Sequence, residues 1–144
     1  MTLMSQFAAR LLFLPIWMVA LAILVKGYVD SGDGFSAGVI AALAISLHYV
    51  TFGVAATERL WVVRNVSNLA AVGLLIAASV AFVPVLIGKP IMTHWPPANQ
   101  SAIHIGTLEV ISAFAFDIGV FLLVLGFCVG VIDLLAHVSS RRSA

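Results

Sequence analysis

"KGYVDSGDGFSAGVIAAL", residues 26–43, is the most polar and glycine-rich stretch of an otherwise oily chain. Lys26, Asp30 and Asp33 crowd into its first half, and an uncharged apolar run begins at Phe35. It is either a ligand-binding loop or a joint between two membrane helices, and the choice decides the fold. The loop readings fail on chemistry. A phosphate-binding loop needs Gly-Lys-Ser/Thr, which is absent. A calcium loop needs several spaced oxygens closed by a distant Glu. A dinucleotide fingerprint would follow a strand, and none precedes it. As a joint the stretch makes sense: Gly32 and Gly34 permit backbone angles closed to other residues, and Asp33 or Ser36 is placed to cap the following helix.

Working outward, composition points the same way. The 144 residues are 62% hydrophobic and 9% charged, whereas a soluble domain carries about 25% charged residues to cover its surface. The chain is therefore expected to be an all-α integral membrane protein. A net charge of +1 provides no basic footprint for nucleic acid. One cysteine, Cys128, excludes a disulfide framework. The apolar N-terminal run lacks a clean small-x-small cleavage site and reads as a retained helix.

A spanning helix needs ~20 apolar residues, and four segments qualify: Phe7 to Val25, Phe35 to Ala56, Asn65 to Ile87 and Val110 to Ile132. They form a single four-helix domain, residues 1–144. Arg10, near the start of the first, can snorkel to the interface. Barrel strands would alternate apolar and polar residues, and these runs do not. Arg10, Arg59, Arg64, Arg141 and Arg142 lie on one side against Lys26 and Lys89 on the other. That bias predicts cytoplasmic N and C termini and a cytoplasmic middle joint. Pro84 is expected to kink the third helix near its end.

Helices in lipid are held by close packing of small residues. Gly34 and Gly38 form a GxxxG pair, continued by Ala41, Ala42 and Ser46, and Gly126 and Gly130 repeat the device. Among polar residues Asp117 is the most informative. It lies about 10 Å inside the fourth segment, where a carboxylate normally faces a partner or a wet cavity. His48, within the second segment, is open to three readings: haem ligation, proton relay, or a hydrogen bond between helices. His94 and His104 stand ten residues apart with no cysteine near, which gives zinc weak support. Glu58 and Arg59 read as interfacial, and Glu109 and Asp133 as end charges of the fourth helix. No nucleophile–base pair, CxxC or HExxH occurs, so an enzyme acting alone is not expected.

Two stretches carry a family resemblance. "GDGFSAGVIAALAISLHYVTFG", Gly32 to Gly53, resembles the signature of the MnhB/MrpB family, small four-helix subunits of multisubunit Mrp-type sodium/proton antiporters. "HIGTLEVISAFAFDIGVFLLVLGF", His104 to Phe127, is similar to that family's second hallmark. Phe35 and Gly38 fit the pattern, while Asp33 stands where the family more usually has glycine. Related subunits occur in membrane-bound hydrogenase-type complexes.

The resemblance implies a small component in the plasma membrane of a bacterium or archaeon, working in the bilayer beside other Mrp subunits. These include large ones related to respiratory complex I. The complex would exchange Na⁺ for H⁺, with no cofactor in this chain. It implies that Asp117 faces a neighbouring subunit or a water-filled cavity and that His48 does likewise. Asp33 and His104 join them as candidates for the ion path or a subunit contact, and Gly34, Phe35, Gly38, Gly126 and Gly130 as packing residues. The alternative is a haem-bearing anchor of a respiratory enzyme, with His48 as one axial ligand and His104 or a partner supplying the other.

Overall fold

The computed structural model describes residues 2–28, 32–91 and 106–142, with side chains in the last stretch from residue 112. Among these described residues six helices follow in order: α1 Leu3–Lys26, α2 Gly34–Phe52, α3 Val54–Thr57, α4 Trp61–Arg64, α5 Val66–Leu86 and α6 Gly106–Arg142. Four of them, α1, α2, α5 and α6, are long and apolar enough to cross a membrane. At 1.5 Å per residue α5 is about 31 Å long, matching a hydrocarbon core of about 30 Å.

The chain is built around α6. Helices α2 and α5 pack along it, and α1 packs on α2, touching α6 only lightly. The buried core is correspondingly small-grained: Ala20, Ala37, Ala41, Ala42, Ile45, Phe121, Leu125 and Val129 lie at the α1–α2–α6 contacts. Large apolar side chains such as Leu11, Leu14, Leu75, Phe82 and Phe127 point outward. In lipid, unlike water, that outward placement costs nothing, so cohesion has to come from fit between backbones.

Glycine supplies the fit. A Cβ on Gly34 would collide with the backbone of Asp117, and one on Gly38 would sit 3.0 Å from the Phe121 carbonyl oxygen. On the α5 side, Gly73 and Gly119 face each other; a Cβ on Gly119 would lie 2.8 Å from the Ala77 nitrogen. One on Gly126 would lie 2.6 Å from the Ala70 nitrogen. Gly119 and Gly126 are seven residues apart, two helical turns, and so fall on one face. Gly73 and Gly119 were absent from the expected packing set because neither sits in a GxxxG repeat. Two further members of the expected packing set make looser contacts within this chain. Phe35 is 61% exposed and lies outside the buried core of the described residues. Gly130 meets Val66 at an ordinary 3.6 Å, so a methyl group fits there.

Element ends also differ. The second span stops at Phe52 rather than Ala56, because Gly53 takes φ +80°, a conformation that L side chains rarely adopt. The buried Thr57 hydroxyl then donates to the Gly53 carbonyl at 2.8 Å, securing the short α3 turn. Pro84 lies in the last turn of α5, which ends at Leu86 ahead of Gly88 at φ +77°. Helix α6 runs ten residues past Ile132 to Arg142, so Asp133 is not an end charge but lies within a helix.

Replacing Gly73 by alanine should force α5 and α6 apart. Overpacking of this kind costs about 1–3 kcal/mol, read as a lowered thermal midpoint in detergent. Gly130→Ala should be neutral or slightly stabilising, since helical alanine gains roughly 0.5–1 kcal/mol over glycine where there is room. Equal effects at the two positions would contradict the packing described.

Candidate functional site

Asp117 reaches from α6 into the joint between α1 and α2. It is 2% exposed. The Gly32 N–H donates to both carboxylate oxygens, at 3.2 and 3.1 Å. Three glycines make the room. A Cβ on Gly27 would lie 2.8 Å from Oδ2, Gly34 rests on the Asp117 backbone, and Gly32 at φ +118° brings its N–H to the carboxylate. The carboxylate thus sits near the start of α2, where free N–H groups and the helix dipole favour negative charge. Outside it, Lys26 and Asp33 pair at 3.5 Å across the same joint.

Within this chain the α1–α2 joint covers Asp117. The reason is the glycine-lined turn, whose missing side chains leave a carboxylate-sized space. Asp33 occupies the N-cap position of α2 but makes no side-chain capping bond. Ser36 does not cap the helix either; its hydroxyl donates to the Asp33 carbonyl at 3.1 Å. Asp33 has helical backbone angles, φ −81° and ψ −5°, rather than the extended ones from which an N-cap side chain reaches the free N–H groups.

His48 is not brought to Asp117. It lies fourteen residues from the start of α2, about 21 Å along the helix, at the Arg10 end of the bundle. Its ring packs on Phe13 and Phe52, centroids 4.9 and 4.5 Å away, and the Arg10 guanidinium covers the Phe52 ring at 5.3 Å. Its Nδ1 is buried without a partner among the described residues. That is an aromatic packing arrangement capped by a snorkelling arginine. His104 and His94 lie outside the described residues, so the second axial ligand of the haem reading does as well.

A second polar cluster, which the sequence reading did not assemble, occupies the end of the bundle opposite Asp117. The 7%-exposed Tyr49 of α2 donates its hydroxyl to Asp133 Oδ1 at 2.5 Å. His137, one turn along α6, sets Nδ1 2.8 Å from the Asp133 carbonyl. Its Nε2 lies 2.8 Å from Glu58 Oε1, on the turn after α3. A cavity of about 340 Å³ opens beside Glu58 and Asp133, with Val63 and Arg64 in its wall. The Asp133–His137 spacing of four was a legible signal, since such pairs share a helix face. Glu58 and Tyr49 carried none, because the Gly53 break that aims Glu58 at α6 is a backbone event.

Loss of the Asp117 carboxylate should loosen the α1–α2 joint. Asp117→Ala removes the acceptor of the Gly32 N–H, and leaving a buried donor unsatisfied costs about 1–3 kcal/mol. Limited proteolysis should then cut faster between Lys26 and Gly34 than in the parent protein, while His48→Gln leaves that rate unchanged.

The fold and both clusters can now be set beside known proteins. A domain family described as related to the MnhB subunit of Na⁺/H⁺ antiporter matches residues 4–130. The B subunit of the Na⁺/H⁺ antiporter of Alkalihalophilus pseudofirmus is 31% identical over 111 residues, covering 77% of this chain and 76% of that one. Its counterpart in Bacillus subtilis, likewise the B subunit of a Na⁺/H⁺ antiporter, is 29% identical over 131 residues, covering 91% and 90%. A probable K⁺/H⁺ antiporter A/B subunit of Rhizobium meliloti is 32% identical over 136 residues, which are 92% of this chain but 13% of that far longer one. The family match begins within α1 and ends inside α6, so it takes in most of all four spanning helices and the Asp117 joint: the chain belongs to the MnhB family.

Proposed function

We propose that the chain is a small membrane subunit of a multisubunit antiporter exchanging Na⁺ or another monovalent cation for H⁺. It supports assembly of the complex and is a transporter component, not an enzyme. The observation that carries this reading is an emptiness. Stretches 11–25, 34–47, 66–86 and 118–132, the middles of the four spans, contain no Asp, Glu, Lys, Arg or His. Ions cross hydrocarbon on ionisable or polar groups spaced through its depth. Asp117 and the Asp133 cluster are sixteen residues apart on α6, about 24 Å of helix, with no Asp, Glu, Lys, Arg or His between them on that helix. On this reading the described spans supply no complete relay of charged groups, and the route belongs to partners.

The relatives support the same reading. Two are named as the B subunits of Na⁺/H⁺ antiporters and are separate chains, and a third carries the matching segment within one much longer chain whose name joins A and B. A segment found both free and built into a longer antiporter chain works beside that larger part. The partners of this reading are large, complex-I-like subunits in the plasma membrane of a bacterium or archaeon. The arginine bias puts both termini and the Glu58 end on the cytoplasmic side, and the Asp117 joint outside. There Asp117 acts by holding the joint in the shape that a neighbouring subunit meets, with the exposed Phe35 beside it.

Gentle extraction of the tagged protein, followed by mass spectrometry of what accompanies it, tests the reading. Large antiporter subunits are the expected company, and recovery with a haem enzyme or alone would overturn it. In everted vesicles Asp117→Asn should reduce cation-dependent proton exchange together with co-recovery of partners. A variant that assembles and transports like the parent would remove Asp117 from the proposal while leaving the antiporter role of the chain standing.

A further inference from the structure

We propose that Glu58, Asp133 and His137 form a binding site for a divalent transition-metal ion of the zinc class. The inference rests on this chain's own side chains and does not depend on the transport reading. One donor atom from each of the three residues lies within 4.8 Å of the others. Imidazole nitrogen and carboxylate oxygens bind zinc at about 2.0–2.2 Å, so tetrahedral ligands stand about 3.3 Å apart. The 2.8 Å from His137 Nε2 to Glu58 Oε1 therefore needs to open by about half an ångström to admit the ion.

The surroundings match what such ligands require. A metal-binding histidine generally gives its other ring N–H to a carbonyl or carboxylate, which fixes the ring. Facing the Asp133 carbonyl at 2.8 Å, Nδ1 can only donate, and this aims Nε2 at Glu58. Asp133 is itself oriented, by the buried Tyr49 hydroxyl. Glu58 and Asp133 both border the 340 Å³ cavity, which has room for the water or outside ligand that completes three protein ligands. A dication offsets two carboxylates that otherwise face the single imidazole, with Arg64 across the cavity and Arg141 lining the adjoining groove beside His137. The ion would tie the turn after α3 to α6, closing the joint that Gly53 opens.

The test is a titration of the metal-stripped protein, extracted in its native assembly, with Co²⁺ alone, read by visible absorption and by Zn²⁺ competition. The expected result is one tetrahedral equivalent per copy of this chain, displaced by Zn²⁺. His137→Gln and Glu58→Gln should each weaken binding by more than about 100-fold, and Tyr49→Phe by about 10–100-fold through the lost orienting bond. No tetrahedral band in the parent protein, or unchanged binding in the His137 and Glu58 variants, overturns the site. Should those variants fail to assemble, X-ray absorption of the zinc-loaded parent decides: an imidazole in the first shell supports the proposal, and a shell without one overturns it.

Discussion

Close approach of helix backbones in lipid is the constraint on which this structure depends. Water does not drive apolar helices together inside a bilayer, so α6 is held by contact geometry. Glycines on α2 and α5, and on α6 itself, remove the side chains that would keep the axes apart. The outward faces can then be almost uniformly apolar, and the core can be made of alanines and a few larger residues without loss of cohesion.

The same constraint creates the polar sites. Bringing α2 tightly onto α6 at Gly34 carries the α1–α2 joint over Asp117, and the missing side chains of Gly27 and Gly34 leave space for its carboxylate. Buried without a donor, that group would be costly; the Gly32 N–H supplies one. At the opposite end α2 has drawn Tyr49 against Asp133, and the Gly53 turn swings Glu58 back toward His137. The charged side chains collect toward the two ends of the bundle, and stretches 11–25, 34–47, 66–86 and 118–132 hold no Asp, Glu, Lys, Arg or His.

Much of this architecture is legible in the sequence. Four spans, their order and their approximate limits follow from runs of about twenty uncharged residues, since the thickness of hydrocarbon dictates that length. The Gly34–Gly38 pair was readable because GxxxG spacing places two glycines on one face. The family resemblance at Gly32 to Gly53 and His104 to Phe127 was readable as pattern. The weak points were all relations between segments. The turn that covers Asp117 is invisible in the residues around it. Phe35 was grouped with packing residues by its motif, although its side chain points away from the bundle.

The sequence by itself determined that this is a helical membrane protein of four spans, with charges at the span ends and small residues for packing. Hydrophobic length and helical periodicity are local properties that each segment carries alone. Only the tertiary structure decided which glycines face a backbone, that Asp117 is enclosed by its own chain, and that Tyr49, Glu58, Asp133 and His137 meet. Those outcomes depend on helix rotation and on the direction in which Gly32 and Gly53 turn the chain. Two residues 84 positions apart, such as Tyr49 and Asp133, leave no mark of their meeting in either neighbourhood.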